Sequence, residues 1–170
     1  MAAPNFTGSL IASALERGIG YAEALAKDIP ADRFDHSPMP NLNHPAFNFG
    51  HLSLYPNRIL NLLGKPELVV DKPGWDKLFA AGVACVEGNG QYPPKQEIVD
   101  FFLDRHRAAV AVVRETTEDV LAQPNPIEGR MREVFPRIGN AVLFMMTSHV
   151  MMHLGQISAW RRTVGLPSVM

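Results

Sequence analysis

Prolines and glycines cut this chain into four long pieces with apolar residues at helical spacing. That punctuation restricts the fold to packed helices. Over 7–29, Ile11, Leu15, Ile19, Ala22, Leu25 and Ile29 recur every three or four residues, which puts them on one helix face. Pro30 ends the run, and residues 30–43, with three prolines, read as a connection. A second helix is predicted to open at Asn43-His44-Pro45. Either Asn43 or His44 serves as its N-cap, and Pro45 sits in the first turn, where a missing N–H costs nothing. It runs to Leu63, with a kink at Pro56, and stops at Gly64-Lys65-Pro66. A third helix covers about 95–122, with Val99, Leu103, His106, Val110, Val113 and Thr117 on one face. A fourth runs from Ile138 to Val164. Arg161 and Arg162 lie in its last turn, where cations suit the dipole, and Gly165-Leu166-Pro167 stops it. Residues 64–94 are the least regular part, with a short helix predicted at 75–86, and 127–137 read as a loop.

Four such helices and no convincing strand imply an all-α fold, an antiparallel four-helix bundle with a long helix 2–helix 3 connection. The 170 residues are predicted to form a single domain over 1–170. A net charge of −1 and the lack of a basic run give no electrostatic case for nucleic acid. No apolar stretch reaches the roughly 20 residues of a membrane span, and MAAPNFTGSL lacks the basic region of a signal peptide. The lone Cys85 cannot close an internal disulfide, which fits a reducing, cytoplasmic location. It follows Ala-Gly-Val-Ala and reads as buried and inert.

The chemistry concentrates in "SHVMMHLGQISAWRRTVGLP", residues 148–167. His149 and His153, four apart, project from one helix face, about 40° apart around the axis and about 6 Å along it. A third histidine, His51, lies mid-helix with Phe47, Leu54, Tyr55 and Arg58 within two turns. With helices two and four as neighbours, these imidazoles converge and leave one coordination position open. Neutral imidazole suits zinc, nickel, iron and copper. The competing reading makes each a core histidine bonded to a carbonyl, but three buried imidazoles then need three separate partners. Val150 follows His149, so the zincin glutamate is missing and a peptidase is disfavoured. Met145, Met146, Met151 and Met152 read as core filler rather than Cu(I) ligands.

Five further residues are candidates for the surroundings of the site. His106, beside Asp104, Arg105 and Arg107, reads as a boundary residue, with approach to the site as the alternative. Gln156 would orient a ligand or a bound water, or else bond across the bundle. Arg58 would receive an anionic substrate or reach solvent. Tyr55 and Trp75 are placed in the substrate pocket. No residue is singled out as catalytic. His44 reads as a helix-terminal residue and His36 as a loop residue.

Two motifs carry a family resemblance: "FNFGHLSLYPNRILNLLG", with a histidine early in helix two, and the 148–167 stretch. The latter resembles an H-x-x-x-H-x-G-Q-[hydrophobic] helix ending in R-R-x-x-G-x-P. The chain is similar to the DinB/YfiT-like superfamily of metal-dependent four-helix proteins over most of its length; 64–94 and 124–137 match nothing in it. The resemblance implies a metal triad at His51, His149 and His153 holding a divalent ion, zinc or nickel. It implies an up–up–down–down style of bundle. It also implies thiol-dependent transfer or isomerisation with a low-molecular-weight thiol as cosubstrate, although many members have no assigned reaction. The expectation is a cytoplasmic metal-dependent enzyme, transferase or hydrolase-like, acting on a small molecule and pairing as a homodimer. Its pocket is expected between helices two and four, bordered by 64–94, with Trp75, Phe79 and Tyr92 holding an apolar part of the substrate. The alternative is a non-catalytic bundle that binds a small ligand or partner, or responds to metal or stress.

Overall fold

In the computed structural model, which describes residues 5–88 and 90–169, the chain is all-α. Among the described residues the only β feature is one isolated antiparallel bridge, Pro124 to Arg137. The first helix, α1 (Phe6–Lys27), is capped by Asn5, whose side chain accepts from the Gly8 N–H. The predicted second helix is two helices, α2 (Pro45–Ser53) and α3 (Tyr55–Leu62), interrupted at Leu54 just before Pro56. His44 is the N-cap of α2: its Nδ1 accepts from the Phe47 N–H at 3.2 Å, and Pro45 fills the first position.

Within 64–94 the short helix α4 (Trp75–Phe79) ends earlier than expected, because Ala80 turns to extended backbone. The third long helix, α5 (Lys95–Glu115), also ends early. Thr116 is extended, and its hydroxyl bonds back to the Val112 carbonyl. A single turn, α6 (Glu118–Leu121), follows, and the predicted loop at 127–137 contains α7 (Arg130–Val134). The last long run is α8 (Ile138–Leu143), a π-helical turn over Phe144–Ser148, and α9 (His149–Thr163).

The π-turn changes which residues share a face. Ala141, Met145, His149, His153 and Ile157 are spaced by four. In a regular α-helix each such step drifts about 40° around the axis. One wider turn takes back part of that drift, and the His149 N–H accordingly bonds to the Phe144 carbonyl. His149 therefore stays on the face that packs inward.

Interhelical bonds fix the directions. Asn5 reaches the Arg114 carbonyl and Lys95 reaches the Ile29 carbonyl, so α1 and α5 are antiparallel. Phe49 meets Phe102 near the start of α5, and Leu63 borders a groove with Val112 and Thr116 near its end, so α2–α3 and α5 run parallel. Asn43 meets Gln156 and Asn48 meets His153, so α2 and α9 are antiparallel. The parallel pair of sequence neighbours is thus the second and third long runs, joined by the long connection. The order is therefore up–down–down–up and not the expected up–up–down–down, because the connection 64–94 is long enough to return the chain to the same end.

That connection folds back along α2. Its rings Trp75, Phe79 and Tyr92 are buried against Phe101 and Phe47, inside the core shared with Leu15, Leu25, Leu52, Phe102, Leu154 and Trp160. Burying each such side chain stabilises by about 1.5–3 kcal/mol. The close approach depends on Gly50, where an added Cβ would lie 2.5 Å from the Phe79 ring. No helix of the described residues is long and apolar enough to cross a membrane.

Candidate metal centre

His51 comes from α2, and His149 and His153 come from α9. One ligand atom from each lies within 4.8 Å of the others. The Nε2 atoms of His51 and His149 are 3.3 Å apart. Two nitrogens bound tetrahedrally at about 2.0–2.1 Å stand about 3.3–3.4 Å apart, so this pair already has the separation that one zinc-like ion requires.

The bonds behind the rings decide which nitrogens are free. His51 Nδ1 donates to the Phe79 carbonyl at 2.7 Å, which leaves its Nε2 lone pair for a ligand. His153 Nδ1 is 2.7 Å from Asn48 Oδ1. The Asn48 amide nitrogen donates to the Asn43 and His44 carbonyls, so the amide oxygen must face His153 and accept its proton. His153 Nε2 is free as well. His149 differs: its Nδ1 is buried without a hydrogen-bond partner. Two ligands are therefore held from behind, and the third is placed by packing and by the π-turn.

Burial keeps these imidazoles neutral. It pushes His149 down to about 3, with help from His153, His51 and Arg58, and His153 down to about 4, with help from His51. Burial also lowers His51, against the opposing pull of the Phe79 carbonyl. A neutral imidazole is the form that ligates a metal. The sign of the pH dependence follows. Unfolded histidines take up protons near 6.5, while the folded ones resist, as does His106 at about 4. Stability is full above about pH 6.5 and drains away as the pH falls toward about 4. The metal-free protein is expected to unfold at a lower urea concentration at pH 5 than at pH 7, and equal midpoints would contradict this.

The remaining candidates separate clearly. Tyr55 lies against the centre, its ring 4.1 Å from His149 and 5.0 Å from His51 between centroids. Arg58 is exposed, with its guanidinium carbon 4.6 Å from the centre of the Tyr55 ring. Trp75 meets Phe79 edge-on at 5.2 Å and Phe101 edge-on at 4.9 Å. Gln156 accepts from Asn43 and so ties α9 to the start of α2. His106 is not a boundary residue. It is 2% exposed, its ring 4.0 Å from that of Phe102, and bonded to that residue's carbonyl one turn back; its charged neighbours point elsewhere, as with Arg107 to Glu23. Cys85 is half-buried rather than buried, and burial pushes its thiol up. Arg161 is 1% exposed and locks onto Asp28 and the Leu25 and Pro167 carbonyls, a stronger role than dipole matching. Sequence reasoning missed Asn48, although a polar residue in the apolar "FNFG", three before His51, was a signal. It also missed Phe144, whose ring lies 5.7 Å from His149 and 4.8 Å from Phe135.

The family model of the DinB superfamily matches residues 14–157, which include all three histidines. The chain belongs to the DinB superfamily. No curated protein and no solved structure matches it. In this DinB-superfamily chain the histidines expected from the motifs stand together as a group that can hold a metal ion.

Proposed function

We propose that this protein is a metal-dependent enzyme acting on a small molecule. His51, His149 and His153 hold one divalent ion, zinc or nickel, with a coordination position left for a ligand. The observation that carries the reading is the convergence of the imidazoles, with the Nδ1 protons of His51 and His153 committed to Phe79 and Asn48. Neutral nitrogen donors suit zinc and nickel. Bound there, the ion lowers the pKa of a coordinated water or thiol. The chain's own residues orient the ligand nitrogens, hold them deprotonated and place Tyr55 against His149. A thiol-dependent transfer or isomerisation, with a low-molecular-weight thiol as cosubstrate, fits this donor set. In transfer, the thiol releases its S–H proton to solvent, its sulfur forms the new S–C bond, and the acceptor carbon's bond to its leaving group breaks, that group departing with the electron pair. The test is consumption of a thiol with an electrophilic acceptor. A rate that appears with zinc or nickel and vanishes in His153→Ala is expected; a rate independent of metal would refute the enzyme reading.

The same reading has the chain working in the cytoplasm, consistent with the free thiol of Cys85, and as a homodimer. Exposed Phe6, Leu10 and Leu143 border one groove with Ala14, and Ala14 borders the next with Met151. An apolar strip of this kind suits a second copy. Leu10→Glu is expected to shift sedimentation from a dimer to a monomer; a monomer before the change would remove the proposal.

A further inference from the structure

The two stretches that supply the ligands, 36–66 and 134–170, contain no aspartate or glutamate, and the connection that brings the Phe79 carbonyl carries acidic residues of which none acts on the three imidazoles. All 17 acidic residues lie outside those two ligand-bearing stretches. The centre has no negative charge of its own. Its ligands are neutral imidazoles. The groups that orient them, the Phe79 carbonyl and the Asn48 amide, are neutral too, where ligating histidines elsewhere often lean on a carboxylate. The permanently charged side chain whose field reaches both His51 and His149 is a cation, Arg58. A divalent ion held here would keep both its charges uncompensated, with a third beside them. In a partly buried site that imbalance attracts anions.

Arg58 is placed to receive one. It stands on α3 one turn beyond Tyr55, and its guanidinium lies over the Tyr55 ring at 4.6 Å. That ring is the one 4.1 Å from His149. Cation–π contact holds the guanidinium near the centre without using its N–H donors. Among the described residues no carboxylate pairs with it, whereas Arg107 is paired with Glu23 and Arg114 with Glu16. A free planar fork of donors matches a carboxylate bidentately.

We propose that Arg58, seated on Tyr55, is the anion-recognising residue of the centre. The small molecule taken there carries a carboxylate a few bonds from its metal-binding atom. This rests on the metal-enzyme reading for the second of those contacts. The carboxylate belongs either to the thiol or to the molecule the thiol reacts with.

The test uses cobalt(II)-loaded protein and follows thiolate-to-cobalt absorption. 3-Mercaptopropionate is expected to bind about tenfold more tightly than its uncharged amide, the worth of one charge-assisted hydrogen-bonded contact. Added salt narrows the gap. Arg58→Gln erases the preference while the cobalt content stays unchanged, and Arg58→Lys restores part of it. Propionate that displaces 3-mercaptopropionate but not the amide assigns the carboxylate to the thiol. Propionate that binds beside the amide assigns it to the reaction partner. Equal affinities in the unaltered protein, or a preference that survives Arg58→Gln, overturns the proposal. A protein that takes up no cobalt refutes the metal reading alone. Arg58 is then followed by the NMR shift of its Nε–H in metal-free protein titrated with propionate, and the absence of a saturable shift overturns the proposal.

Discussion

Replacing His149 or His153 with Ala is expected to weaken zinc binding by more than about 100-fold. The yardstick is the loss of an orienting partner, which costs about 10–100-fold while leaving the ligand in place. Asn48→Ala falls in that range, because it frees His153 Nδ1 but keeps the imidazole. Removing an imidazole leaves two donors and forfeits a bond to the ion itself. The fold should survive His149→Ala, since the change also removes a buried nitrogen that lacks a partner. Gln156→Ala serves as the control on the same helix: its amide bonds to Asn43, so zinc affinity should hold. Competition against a chromophoric chelator measures all four. Unchanged affinity in both histidine variants would mean that these imidazoles do not hold the ion.

Trp75→Ala should cost about 3–5 kcal/mol of stability, as for a buried tryptophan truncated to alanine. Trp75 is 4% exposed and wedged between Phe79 and Phe101, so the surrounding rings cannot close the gap fully. The effect also travels. Phe79 carries the carbonyl that holds His51, so a loosened Phe79 lets that imidazole turn, and zinc affinity falls along with stability. Urea unfolding and zinc titration on the same preparation test both parts. A stability change below about 1 kcal/mol would show that the connection packs less tightly than described.

The same residue illustrates what the sequence could and could not convey. Helical periodicity located the long helices, and the His-x-x-x-His spacing located the ligand pair, because both signals are local and repeat within one element. The His44 cap and the break near Pro56 were legible for the same reason: cap and proline chemistry act within one turn. The role of 64–94 was not, since it depends on a contact between distant segments. Only the close approach at Gly50 brings the Phe79 carbonyl to His51, and a lone glycine in a helix does not announce its neighbour. His106 misled for a related reason. The charges beside it in sequence point away around the helix, so adjacency suggested a surface that the packing does not provide. The ends of α4 and α5 turned on single residues, Ala80 and Thr116, whose extended backbone no periodicity predicts. The π-turn was not legible, since one wider turn inside a continuous helical run leaves no periodic signal of its own.

The central claim is that three histidines from two helices hold one ion. Its most direct measurement is the metal content of protein purified without chelator or a nickel column, before and after equilibration with zinc or nickel and removal of free metal. One divalent ion per chain is predicted, retained at pH 7 and lost in His149→Ala and His153→Ala. A content near zero in the unaltered protein, unchanged after zinc or nickel is supplied, would contradict it.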